Sequence, residues 1–288
     1  MRYPEKWQAA LLGAGLMITL SFCNGIVGKS RFPDTPMYNL SSPTIINLPE
    51  ELDEISGIAY YPKDTSVFAI VDEDGLLYKI PIRNPPAFRK WRFDKKGDFE
   101  DLVLKDSVFY ALVSNGDIES IHFKGDSIFT ERTDFAGGGK TTNEFESLYL
   151  DEKTNSLVLV CKECEADSKK TITMYAYGLS DSVKDYRPFQ VIDAVPIALD
   201  MLKEKIHIKP SAIAMNPITN ELYMLSSLHH ALIILSPKGK YKQLFLLDPG
   251  IYKQAEGIAF TPSGDMLITN ERAEIGFPTL LVIKNKLK

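Results

Sequence analysis

Glu256-Gly257-Ile258-Ala259-Phe260, then Pro262-Ser263-Gly264, then Asp265-Met266-Leu267-Ile268-Thr269, reads as a carboxylate, an apolar strand, a tight turn and a second strand. The turn residues fix a hairpin, and the flanking runs carry the β-branched and apolar side chains of buried strands. The arrangement recurs upstream, as Ser56-Gly57-Ile58-Ala59-Tyr60, Glu100-Asp101-Leu102-Val103-Leu104, Glu146-Ser147-Leu148-Tyr149-Leu150 and Ser211-Ala212-Ile213-Ala214-Met215. First residues of successive copies lie 44, 46, 65 and 45 positions apart. That period is the length of a four-stranded propeller blade, a unit that buries its apolar faces only by stacking on its neighbours.

Second strands follow most of these openings, at Ser66–Val71, Ser156–Val160, Glu221–Leu225 and Asp265–Thr269. Third strands are expected at Leu76–Ile80, Ile118–Phe123, Ile172–Tyr177 and Ala231–Leu235, and outer strands at Lys90–Phe93, Ser127–Arg132, Tyr186–Ile192 and Tyr241–Leu246. The last copy has one strand too few, and Pro43–Leu48 is a strand left over before the first. Pairing the two closes the ring and removes exposed sheet edges. The fold class is therefore all-β, a five-bladed β-propeller spanning 43–288 and closed by its N-terminal strand, with six blades as the alternative if the 65-residue interval hides a weak repeat. Within that interval, Asp193–Lys205 reads as a short helix beginning near Pro196, either a packed connector or a lid over the channel.

Residues 1–23 stand apart from the repeats. Arg2 and Lys6 precede an apolar run, Ala9 to Phe22, which is short for a membrane span and suits a signal peptide. Leu20-Ser21-Phe22-Cys23 resembles a bacterial lipoprotein box, with Cys23 as the acylated residue and Phe22 where a small residue is usual, and ordinary cleavage with secretion is the alternative. Residues 24–42 then read as a linker. The chain is expected in the bacterial cell envelope, at the periplasm or outer membrane, meeting the membrane through its N-terminal lipid only. Net charge is 33 − 38 = −5, without a long basic run, which argues against a nucleic-acid partner.

Propeller geometry gives the opening residues of the repeats a common address. The innermost strand of every blade lines the central channel, so Ser56, Glu100, Glu146, Ser211 and Glu256 converge on one axis. Like charges in a narrow space disfavour ionisation. A hard cation such as Ca²⁺, which takes six to eight oxygen ligands, removes that penalty. The alternative is that these residues cap strand starts. A second set falls where the next strand ends, at Asp72, Asn115, Glu163, Ser227 and Glu271, near the same mouth. Glu100, Glu146 and Glu256, with Asp72, Glu163 and Glu271, are the candidate metal ligands, and Ser56 and Ser211 are candidate channel-lining residues.

Ile55-Ser56-Gly57-Ile58-Ala59, Asn143-Glu144-Phe145-Glu146-Ser147-Leu148, Leu222-Tyr223-Met224-Leu225-Ser226 and Gln254–Phe260 with Gly264–Glu271 resemble the SdiA-regulated family of bacterial β-propellers, itself similar to phytase-like and esterase-like propellers. The resemblance covers roughly Pro43 to Lys284 and implies an exported, often lipid-anchored protein with calcium bound by its channel carboxylates. It does not settle activity, because propellers host unrelated functions.

Other motifs carry less. Gly137-Gly138-Gly139-Lys140-Thr141 lacks the first glycine of a P-loop, where Asp134 stands, and precedes a strand rather than a helix. Cys161-Lys162-Glu163-Cys164 has no second pair for zinc, leaving a local disulfide, two thiols or a redox pair. Of His229 and His230 at most one points inward along a strand. No G-x-S-x-G elbow is present, and Lys162, Lys253 and Arg272 lie near the expected mouth. The leading expectation is a calcium-binding module that takes a small-molecule or protein ligand on its channel face. The alternative is a calcium-dependent phosphoester or ester hydrolase on the same face, and no catalytic residue is assigned.

Overall fold

The structure, a computed structural model, describes residues 31–82, 88–135, 142–180, 185–202, 207–274 and 276–287. The segment read as a signal peptide, with Cys23, and the Gly137–Thr141 stretch lie outside the described residues.

Among the described residues, twenty strands form five four-stranded antiparallel sheets, one per blade. The first, β1 (Thr44–Asn47), belongs to the last blade. Blade 1 is β2 (Ile55–Tyr61), β3 (Ser66–Val71), β4 (Asp74–Pro81) and β5 (Arg89–Lys96). Blade 2 is β6 (Phe99–Lys105), β7 (Val108–Val113), β8 (Ile118–Lys124) and β9 (Ser127–Thr133). Blade 3 is β10 (Glu144–Asp151), β11 (Ser156–Glu163), β12 (Thr171–Gly178) and β13 (Tyr186–Asp193). Blade 4 is β14 (Ala212–Met215), β15 (Leu222–Ser226), β16 (Ala231–Leu235) and β17 (Tyr241–Leu246). Blade 5 is β18 (Ala255–Phe260), β19 (Met266–Asn270) and β20 (Thr279–Ile283), completed by β1. The inner strands β2, β6, β10, β14 and β18 contact one another in a closed ring. The six-bladed alternative is excluded: the long interval holds a connector, not a blade.

Closure takes the expected form, with β1 antiparallel to β20 from Thr44↔Val282 to Asn47↔Thr279. The clasp also starts earlier than residue 43. Met37, Tyr38 and Leu40 are buried in the seam between blades 4 and 5, and Tyr38 pairs with Asn285. The Tyr38 hydroxyl donates to Gly264 O at 2.7 Å and accepts from Asn216 Nδ2 at 2.8 Å. The second half of the segment read as a linker is thus part of the fold, because its apolar residues have a seam to fill.

Five apolar clusters each straddle one seam between neighbouring blades. Blades 1 and 2, for example, meet at Phe68 and Phe109, whose ring centroids lie 4.3 Å apart. Burying such faces between blades is the main cohesive term of a propeller. Inner strands approach closely: a Cβ on Gly57 would fall 2.4 Å from the Asp101 Cα, so only glycine fits there. Asp101, fully buried, binds across the next seam, accepting from Leu102 N at 2.7 Å and from Leu148 N of blade 3 at 2.8 Å. The inter-blade helix α1 (Val195–Asp200) has Pro196 in its first turn and buries Ile197 and Ala198. It packs on β17, the outer strand of blade 4, which makes it a connector rather than a lid.

Candidate acidic channel mouth

The regular two-residue alternation of a strand breaks at the carboxylates. In β6 the pairs Phe99↔Val113 and Asp101↔Leu112 leave Glu100 without a partner. Glu146 is likewise the extra residue between Phe145↔Cys161 and Ser147↔Val160, and Glu256 between Ala255↔Asn270 and Gly257↔Thr269. Each acid is therefore the odd residue of a β-bulge, a device that re-aims a side chain and interrupts pairing. Blade 1 has a bulge at the same place, between Ile55 and Ile58.

All five opening residues line one cavity of about 330 Å³, joined by Asp72, Asp98, Ser114, Glu144, Lys162 and Glu271. Among the described residues, seven carboxylates thus face one ammonium. Ser56 Oγ donates to Phe99 O at 2.8 Å and Ser211 Oγ to Ala255 O at 2.7 Å, so both hydroxyls also tie an inner strand to the next blade. The Lys162 ammonium meets Glu146 Oε2 at 2.6 Å. Lys162 is itself an extra residue, since β11 advances two positions between Glu144↔Glu163 and Phe145↔Cys161.

Electrostatics follow from crowding carboxylates in a half-closed space. Burial, and then the Glu146 charge, push the Glu100 carboxyl up to about 10. Glu256 is raised to about 8 by burial, then by Glu271 and Glu146. Burial followed by the Asp72 charge brings Glu271 to about 7. Asp72 reaches about 7 through burial and a proton-sharing hydrogen bond with Asp98. Burial also raises Glu146, against the opposing pull of Lys162. Burial works to lower the Lys162 ammonium, but the Glu146 hydrogen bond and charge outweigh it and hold the group protonated. The mouth therefore takes up protons near neutrality, or another positive charge in their place.

The candidate ligands do not all arrive. Five of the six, Glu100, Glu146, Glu256, Asp72 and Glu271, line the cavity, while Glu163 turns outward to Lys209 at 2.9 Å. The bulge at Lys162 shifts the phase of β11 by one residue and sends Lys162 inward instead. Asn115 also misses the cavity, bonding Asp117 Oδ2 at 2.9 Å, and Ser114 takes the inward place. Asp98 and Glu144 escaped the repeat alignment. Each stands two positions before a slot carboxylate, as Asp98-x-Glu100 and Glu144-x-Glu146, and that spacing was the available signal.

The donor set, carboxylates with serine hydroxyls, suits a hard cation. Among the described residues no three of these carboxylates bring oxygens within 4.8 Å of one another; Cys161, Cys164 and Asp167 alone meet that test. The two cysteines are joined in a disulfide, which removes them as thiolate ligands. A single ion directly held by three of the carboxylates needs side-chain closure, and water can complete its shell otherwise.

Beside the acidic cavity lies a second one of about 480 Å³ that shares Glu146, Lys162, Ser211 and Glu256 with it. Lys209, Lys253, Leu228 and His230 belong to this neighbour. His230 Nδ1 lies 3.1 Å from Tyr252 O, a contact that places the proton on Nδ1, whereas His229 is engaged with Ser226 Oγ at 2.8 Å. At the other end of the inner strands, Ile58, Leu102, Leu148, Ile213 and Ile258 begin a different lining, each at most 4% exposed. They open into a mostly apolar cavity of about 850 Å³.

Fold and site together define a five-bladed β-propeller with one acidic and one apolar channel mouth. Among solved structures, the chain is similar to the glutaminyl cyclase of Myxococcus xanthus, with a TM-score of 0.56 and 13% identity over 84% of this chain and 94% of that one. It is similar as well to a luciferin-regenerating enzyme, with a TM-score of 0.51 and 10% identity over 84% of this chain and 95% of that one. At such identities the likeness speaks for the fold alone. No protein-family model matches the chain. No curated protein matches it either.

Proposed function

We propose that the chain is an exported β-propeller of the bacterial cell envelope, of the SdiA-regulated kind, that binds a calcium ion at its acidic mouth and presents that face to a ligand. The observation that carries this reading is the charge of the cavity, seven carboxylates against one ammonium. Three of the acids sit on bulges, which re-aim their side chains out of the regular alternation. A divalent cation replaces the protons that the folded mouth otherwise holds, so uptake of the ion releases protons. Export and lipid anchoring rest on the leader, with Cys23 as the acylated residue.

The test is a melting curve with calcium, with magnesium and with chelator, beside calorimetric titration of calcium in two buffers of different ionisation enthalpy. Saturating calcium is expected to stabilise the protein by about 2.7 kcal/mol at a hundredfold excess over Kd. It should also release protons near pH 7. A melting temperature indifferent to calcium and chelator would discard the calcium site.

One observation favours a hydrolytic second reading. Asp72 and Asp98 line the same cavity, and burial with the hydrogen bond to Asp98 raises the Asp72 carboxyl to about 7, the range that suits a general acid or base. Turnover of phosphomonoesters or simple esters that is lost with chelator and in Asp72→Asn would support it, and calcium binding without turnover would remove it.

A further inference from the structure

The two contiguous cavities of the acidic mouth differ in charge, with seven carboxylates and one ammonium lining the first and two carboxylates and three ammoniums the second, and they share Glu146, Lys162, Ser211 and Glu256. Glu146 and Lys162, 2.6 Å apart, line both. Glu100, Asp72, Asp98, Glu144 and Glu271 line only the first cavity, Lys209 and Lys253 only the second, and Glu256 lines both. We infer that this step in charge is a binding site for a free α-amino acid, whose ammonium enters the acidic cavity and whose carboxylate lies among the lysines. An α-amino acid separates its two charges by three covalent bonds, a spacing matched to a protein pair at hydrogen-bond distance.

The surroundings fit the rest of such a ligand. Leu228 is 70% exposed on the basic side and lines that cavity with Pro210, giving an apolar side chain a surface to cover. Lysine stems add apolar wall while their heads stay at the rim. Lys209 now pairs with Glu163, but Lys209 is only half-buried and Glu163 exposed, at 33% and 61% of their side-chain surface, and a pair so open to water is exchanged for a ligand carboxylate at modest cost. His230, with Nδ1 turned to Tyr252 O, has Nε2 left as its second polar atom in the same pocket. Cavities of about 330 and 480 Å³ accommodate a molecule of this size.

The inference rests on the acidic cavity being a cation site, so calcium and the amino acid compete for it. The full chain is titrated with L-leucine, with leucinamide, which keeps only the ammonium, and with N-acetyl-leucine, which keeps only the carboxylate. Each titration is run in chelator and then in calcium. Leucine is expected to bind roughly tenfold or more tighter than either analogue, and calcium should weaken it. The double variant Lys209→Gln/Lys253→Gln should bring leucine down to the affinity of leucinamide while calcium binding is not weakened. Leucinamide binding as tightly as leucine overturns the inference, as does calcium binding with no leucine binding. Leucine binding without calcium binding upholds it and counts against the calcium reading alone.

Discussion

The two mouths of the channel are built from the same five strands and have opposite character. At one end Glu100, Glu146 and Glu256 crowd a cavity that cannot hold all its negative charge without protons or a cation. A few residues along, Leu102, Leu148 and Ile258 are almost wholly buried and lead into an apolar cavity. The difference teaches which end is for cohesion. Aliphatic residues at equivalent places stabilise the seams, whereas the acids oppose folding until something positive joins them.

The largest expected effect breaks the comparison at its apolar end. Leu148→Ala removes a side chain that is 1% exposed and should cost about 2–5 kcal/mol, read as a lower denaturant midpoint. Opening the Cys161–Cys164 bridge with Cys164→Ser should cost about 2 kcal/mol at most, because the closed loop is short. At the acidic end the sign reverses. Glu100→Gln should raise the melting temperature in chelator at pH 8 by a few degrees and weaken calcium roughly tenfold, checked by calorimetry.

The pH profile sharpens the same contrast. Glu100 and Glu256 ionise at higher pH when folded than their ordinary 4.5, at about 10 and about 8. The folded chain then binds more protons than the unfolded one between these limits, and stability falls as pH rises through them. Melting temperatures in chelator should decline from pH 5 to pH 9, and calcium should flatten the decline. The smallest effect is expected from Lys162→Met, which removes the cavity's ammonium: lower stability in chelator by about 1 kcal/mol, and tighter calcium binding.

Much of this was legible in the repeats. The period placed all five inner strands, the unused Pro43–Leu48 predicted the closing strand, and the opening slots do share one cavity. The second set was less faithful. Its place at the end of the second strand put Glu163 at the mouth, but a bulge lets one strand gain a residue on its partner, and Lys162 takes the place. Nothing in local composition announces that gain.

What the amino-acid order determined unaided is the ring, its closure and the convergence of one slot per repeat, since burial of alternating apolar residues enforces register along each strand, while the choice of five blades over six waited for the structure. Tertiary structure alone decided the orientation of charges within the ring, because bulges reset the alternation and residues from different blades meet only when the circle closes. The pairing of Glu146 with Lys162, the outward turn of Glu163 and the lysine-bearing cavity beside the acidic one are all of that second kind.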